Sequence, residues 1–458
     1  MKKGDFSQGS VVKAVISLAV PMTLAQLLNV AYNIIDRFFI GRIPENATLS
    51  MTALGVCLPI IALVSAFANL CGMGGAPLFS MERGRERQEE AAFVMGNSFF
   101  LLLCIGATLT ALGLIFRHPM LMLFGASQDT YAMAEQYLSI YLLGSIFVMI
   151  SLGMNNFINA QGFGREGMIT VGIGAVLNTI LDPILIFGFH MGIRGAAIAT
   201  VVAQFCSALW TMRFLTGRRA LVRLELKYFR LQVSRVKRIV GLGITGFIMS
   251  ATNSMVQVAC NINLQTFGGD AYVGVMTIVN TVREVISQPA LAVTHSAQPV
   301  MSYNYGAKCY GRIKEAIKFI CVVGITYTLI MWFIVHTFPE IFIGLFSRDP
   351  QQFELGVPAM RIYYFGFFMM VLQFIGQSTF VALGKSKQAI FFSLLRKAVI
   401  VVPLTFIFPR VGFGVFGVFG AEPVSNFIGG AACFLTMMAT VWPELTRGER
   451  EMERMESE

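Results

Sequence analysis

The chain has 458 residues, 55% of them hydrophobic and only 13% charged, with a mean hydropathy of +0.68. A soluble domain of this length needs far more charge to cover its surface, and apolar runs of about 20 residues recur throughout, so the chain reads as a polytopic membrane protein. A net charge of +10 would suit a nucleic-acid binder, but the basic residues sit in short loops, where membrane topology accounts for them and no nucleic-acid partner is expected.

The opening MKKGDFSQGS leads straight into a long span, without a short apolar region and small-residue cleavage site, so no cleavable signal peptide is expected. Hydropathy and helix breakers place twelve spans near 15–40, 52–79, 91–116, 131–157, 166–189, 193–215, 237–267, 273–302, 314–338, 358–383, 387–409 and 414–442. Basic residues then sort by side. Lys2, Lys3, Lys13, Arg83, Arg85, Arg87, Arg165, the run from Arg213 to Arg238, Lys308, Arg312, Lys314, Lys385, Lys387, Arg447, Arg450 and Arg454 share one side. Only Arg42, Arg117, Arg194, Arg348 and Arg410 take the other. This asymmetry predicts a multi-pass cell-membrane protein with both termini cytoplasmic. The eight cysteines are scattered through apolar spans with no CxxC pair, so they read as buried hydrophobes and not as disulfide or zinc ligands.

The first span, PMTLAQLLNVAYNIIDRFFIG (21–41), carries Gln26, Asn29, Asn33 and Asp36 at steps of three, four and three, with Tyr32 one turn before Asp36. A carboxylate inside a membrane helix is expensive, so it faces a bundle interior or a water-filled cavity. The fifth span has Asn178 and Asp182 one turn apart with Pro183 next, and the sixth has Thr200 and Gln204. Counting about 1.5 Å per residue, Asp36, Asp182 and Thr200 fall at compatible depths in the outer half of the bilayer. Two carboxylates, an Asn, a Thr and a Tyr are therefore expected to meet inside the first half. Two like charges in a low-dielectric pocket do not both stay ionised cheaply, so such a site takes a proton or an oxygen-liganded cation such as Na+. The alternative is a satisfied polar network that only pins kinked helices.

The basic segment 216–238, TGRRALVRLELKYFRLQVSRVKR, reads as a cytoplasmic surface helix joining two halves. Those halves look like copies at an offset of about 220 residues: YLSIYLLG (137–144) recurs as MRIYYFG (360–366), NAQGFGREG (159–167) as VALGKSKQA (381–389), and Pro183 as Pro403. The expected domains are a six-helix lobe at 1–215 that holds the coupling site, a basic linker at 216–236, a second six-helix lobe at 237–443 and a charged tail at 444–458. Six spans per half gives parallel repeats around a central cavity, an all-α transporter architecture. The second half carries polar stripes, with positions 36 and 182 aligning near Cys260 and Val402 and no carboxylate at either. Candidate cavity residues are Gln26, Asn29, Asn33, Asn155 and Gln204 in the first half. In the second they are Asn253, Gln257, Asn261, Asn280, Glu284, Gln288, Gln373 and Gln377. Arg37, Arg361, Arg396 and Lys397 are expected to snorkel to the interface, and His295 to pack.

These features together resemble the multidrug and toxic compound extrusion (MATE) family. The resemblance rests on Pro21, Tyr32, Asp36 and Gly41 in the first span, Asn178 with Asp182 and Pro183, GAAIAT ending at Thr200, and AQPVMSYNYGAK after the eighth span. It implies an antiporter that needs no cofactor and exports amphipathic, often cationic drugs and dyes in exchange for H+ or Na+. In one branch the coupling residues match Asp36, Tyr32, Asn178, Asp182 and Thr200, with Na+ held by Asp36, Asn178, Asp182 and Thr200. A second branch adds acids in the seventh and tenth spans, where this chain has Gln257, Gln373 and Gln377. A monomer in the bilayer is expected. The alternative, a flippase for a lipid-linked saccharide or other lipid of the same superfamily, calls for more basic residues in the cavity than Arg283. An intramembrane enzyme is not expected, since HExxH and GxSxG are both absent.

Overall fold

An apolar chain in a bilayer has no water to satisfy its backbone, so helices, which bond their own N–H and C=O groups, are the structures available to it. The computed structural model describes residues 5–43, 47–346 and 349–457; Lys2, Lys3 and Arg348 lie outside them. In chain order the helices are α1 (Val11–Ile40), α2 (Ala47–Gly84), α3 (Gln88–Ile115), the short α4 (Arg117–Leu123), α5 (Gln128–Ala160), α6 (Gly164–Pro183), α7 (Ile193–Thr216) and α8 (Val233–Gly306). There follow α9 (Tyr310–Thr337), the short α10 (Pro339–Gly344), α11 (Pro350–Tyr364), α12 (Phe367–Ala382), α13 (Ser386–Leu394), α14 (Val402–Phe408), α15 (Gly414–Ser425) and α16 (Ala431–Ser457).

Among the described residues nine helical runs are long and apolar enough to cross a membrane, and α11 with α12, bent by 43° at their break, makes a tenth. The run Ser386–Met455 is two spans, turned at Gly412, and α8 continues past Gly269 for a second pass to Gly306. That makes the twelve expected. Gly269 (φ 70°) and Gly412 (φ 107°) sit where the chain reverses with positive φ, which a side chain would strain. The second pass of α8 carries Thr277, Asn280, Arg283, Glu284 and Gln288, which lowers its hydropathy.

The chain forms two units, one built on Val20–Gly243, the other on Phe6–Ala19 with Ile244–Glu458. Their boundary crosses α1 beside Pro21, whose ring has no N–H for the Ser17 carbonyl. In the first unit α5 is the central helix: Tyr137, Leu138, Tyr141, Leu142, Val148 and Met149 are buried along it, and it packs on α2, α3 and α7. In the second, Tyr364 and Phe419 are fully buried among Val279, Val282 and Ile286 of α8, and the Tyr364 hydroxyl donates to the Val279 carbonyl at 2.9 Å. Arg312 holds the segment before α1 in this unit by donating to the carbonyls of Phe6 (2.8 Å) and Gly9 (2.9 Å).

The surface helix expected over 216–238 does not form. Residues 217–232 run without regular helix except for one 3₁₀ turn at Leu226–Tyr228. Side chains of the first unit supply the bonds that a helix would have made. The buried Gln161 Oε1 accepts from Leu221 N (2.7 Å) and Val222 N (3.1 Å), and Asn97 Oδ1 accepts from Gln232 N (3.0 Å). Tyr228 stacks edge-on against Phe93, and Arg235 forms a two-pronged pair with Glu90. Replacing Gln161 with Leu strands those two N–H groups at a cost of about 1–3 kcal/mol; limited proteolysis is expected to cut 217–232 several-fold faster in the variant, and unchanged cutting would refute the anchoring role. At the other end, α16 continues through the charged segment from 444 onward.

Candidate functional site

The first unit gathers the polar residues of three helices at one point. α1 carries Tyr32 and Asp36 one turn apart, α6 presents Asn178 and Asp182 just before Pro183 breaks it into a wide π-helical turn at Ile184–Gly188, and α7 adds Thr200. Asp36 is 8% exposed, Asn178 1%, Asp182 0% and Thr200 6%. The carboxyl groups of Asp36 and Asp182 lie within hydrogen-bonding reach of each other, a contact that needs a proton on one of them, since ionised carboxylates only accept. Asp36 Oδ1 is buried without a partner among the described residues.

The rest of the cluster is bonded in a chain. With its amide nitrogen turned toward Asp182, Asn178 donates to Asp182 Oδ2 at 2.8 Å while its oxygen accepts from both Oγ1 and N of Thr200 at 3.2 Å. That orientation gives both ends of the amide a partner. The Tyr32 hydroxyl lies near the Thr200 side chain, with Tyr141 near Tyr32 and Tyr137 near Asp36. Tyr137 and Tyr141, stacked at 6.3 Å, wall the cluster from α5; in the sequence YLSIYLLG stands out only as a repeat, and nothing local assigns its tyrosines to the cluster. The neighbouring cation Arg37 is exposed. What this arrangement does chemically is to offer several oxygens and one unpartnered carboxylate oxygen to a proton or a small cation, away from bulk water.

The second unit holds a centre of the opposite character. Arg396 and Lys397 are 3% and 6% exposed, so the expectation that they snorkel to the interface is overturned, although Arg37 and Arg361 are exposed as expected. Both are turned inward by a π-helical stretch, Leu395–Val401, just before Pro403, which has no N–H for the Val399 carbonyl. They bind Glu422 on α15: Arg396 Nη2 at 2.8 Å, Lys397 Nζ at 3.0 Å, and Arg283 of α8 approaches the same carboxylate at 3.7 Å. Arg396 Nη2 also donates to Asn426 Oδ1 at 2.6 Å. Sequence reasoning missed Glu422. The repeat offset would have found it, because Thr200 plus about 220 falls there.

A cavity of about 110 Å³ opens beside this centre, lined by Asn253, Gln257, Asn280, Arg283, Lys397 and Glu422 among others. Three of the proposed cavity residues thus line one pocket. Asn261, Glu284 and Gln288 do not, and Glu284 is exposed. Gln373 and Gln377 are buried and tie α12 to the next span, donating to the carbonyls of Phe392 (3.5 Å) and Ala389 (3.2 Å). In the first unit Asn29 and Asn33 are exposed on α1, and Gln26 is half-buried. Asn155 donates to the Gly167 carbonyl at 3.2 Å, and Gln204 accepts from Ser151 at 2.6 Å.

Comparison with known proteins places this arrangement in context. The multidrug export protein MepA of Staphylococcus aureus is 26% identical over 440 residues, 95% of each chain. Its counterpart in Staphylococcus haemolyticus is 26% identical over 430 residues, 92% of this chain and 93% of that one. The fold matches a solved structure described as the outward-facing conformation of a multidrug resistance MATE family transporter of the MOP superfamily, with a TM-score of 0.91 at 21% identity over 98% of this chain and 99% of that one. The family model for MatE matches residues 21–184 and 247–407, one block in each half and well over half of the whole, and on that ground the chain belongs to the MatE family.

Proposed function

We propose that the protein is a secondary active multidrug exporter that exchanges H+, or Na+, for amphipathic and often cationic organic compounds by rocker-switch alternating access. The observation that carries the reading is the pairing of Asp36 with Asp182 in a buried pocket where one Asp36 oxygen has no partner. A group buried in this way changes its charge only when an ion reaches it, which makes it a coupling element and not a packing one. The names of the staphylococcal relatives, which cover nearly the full chain, support the cargo class. In this mechanism protonation or cation binding at Asp36 and Asp182 shifts α1 and weakens cargo binding in the outward-facing state; an ion biases two states only through its differential affinity for them. Asn178, bonded to Thr200, holds Asp182 in place, and Tyr32 of α1 stands near Thr200. Na+ would take its oxygens from Asp36, Asn178, Asp182 and Thr200. The protein is read as a transporter without enzymatic activity, acting as a monomer with both termini cytoplasmic.

The test is efflux of a fluorescent cationic dye from liposomes holding the purified protein, under a pH gradient and a Na+ gradient imposed separately. Dye export under one gradient identifies the coupling ion. Absence of dye movement under both gradients would overturn the reading.

A further inference from the structure

The two units place related residues at related positions with opposite charge. At an offset of about 220 residues, Asp182 corresponds to Val402, one turn or so from Lys397, and Thr200 corresponds to Glu422. Where the cluster in the first unit pairs the carboxyls of Asp36 and Asp182 and its neighbouring cation Arg37 is exposed, the second has Arg283, Arg396 and Lys397 sharing the single carboxylate of Glu422. No other carboxylate among the described residues is paired with any of the three. A surplus of buried positive charge is costly unless an anion meets it. Arg283 reaches Glu422 only at 3.7 Å, and its Nε is buried with no hydrogen-bond partner, as is Nε of Arg396. Arg283 and Lys397 both line the 110 Å³ cavity, alongside the amides of Asn253, Gln257 and Asn280.

We propose that this cavity is a binding site for an oxyanion group, a carboxylate, sulfonate or phosphate, borne by an amphipathic molecule. Arg283 and Lys397 bind the group directly, the three amides complete its hydrogen bonds, and Arg396 holds Glu422 so that its charge does not cancel both ligands. The cavity admits a head group, and Val256, Met276 and Val418 on its own lining offer apolar surface to the start of the molecule's body. Cations are disfavoured there by like charge. The use of this site for cargo rests on the transport reading above. It widens that reading to compounds carrying an acidic group.

The test is equilibrium dialysis of naphthalene-2-sulfonate against the full-length protein in phosphatidylcholine nanodiscs, beside its neutral isostere naphthalene-2-sulfonamide. The sulfonate is expected to bind at least tenfold more tightly, and Arg283→Gln and Lys397→Gln are each expected to erase that preference. Equal binding of the two compounds to the unmodified protein, a measurement that needs no variant, would overturn the proposal. So would a preference that survives in both Gln variants. Nanodiscs containing phosphatidylglycerol separate two sources of the anion: a tenfold loss of sulfonate affinity there supports the site with a lipid head group as occupant, and no change supports it with a soluble amphiphile. Dye export without a sulfonate preference overturns the site alone, and a sulfonate preference without any export overturns the transport reading alone.

Discussion

Asp36→Asn and Asp182→Asn are each expected to fold, reach the membrane and lose gradient-driven export by about 5–150-fold, the span of a coupling free energy of about 1–3 kcal/mol. The substitution keeps the shape of the side chain. At position 36 the new amide donates to Asp182 without any ion present, so the pair is held permanently in its ion-bound arrangement. At position 182 the remaining oxygen still accepts from Asn178, which preserves the link to Thr200. The loss should therefore appear in transport and not in stability. Dye efflux normalised to protein in the membrane, with a melting curve for each variant, separates the two effects. Intact efflux in both variants would show that the pair is a packing network.

Glu422→Gln is expected to do the reverse, striking stability first. It removes the one carboxylate that Arg283, Arg396 and Lys397 share, and breaking a buried ion pair by deleting one partner costs about 3–5 kcal/mol because the remaining charge stays buried. The melting temperature should fall by on the order of 10 °C. Adding Lys397→Met to Glu422→Gln should recover a large part of the loss, since one of the stranded charges is gone and Met fills a similar volume. A double variant no more stable than Glu422→Gln alone would mean that Lys397 and Glu422 are not energetically coupled.

These two centres differ in how far they could be read before the fold was known. The acid centre was legible because each piece of it lies on one helix at helical spacing: Tyr32 with Asp36, and Asn178 with Asp182. A charge or amide in an apolar span stands out against its neighbours, and counting residues from the span ends brought the pieces to one depth. The basic centre was hidden because it is assembled from α8, the π-helical stretch after α13, and α15. Each contributes only one or two charged residues near a span end or a proline, where snorkelling is the ordinary explanation. The widened turn at Leu395–Val401 is what points Arg396 and Lys397 inward, and no spacing rule for a regular helix anticipates it.

The linker shows the same division. Its basic composition marked it as lying outside the membrane, but its helical appearance was local, and Gln161 and Asn97, distant in the chain, captured its backbone instead. By itself the sequence determined the class of protein, the twelve spans, the two related halves and the acid pair, because all of these follow from hydropathy and from the period of a helix. Only the tertiary structure decided which buried charges are paired, which amides line a cavity and which pin helices together. Those depend on contacts between different helices, from Gln377 with Ala389 to Arg283 with Glu422, and in a low-dielectric interior the partner a charge meets governs its effect more than the helix that carries it.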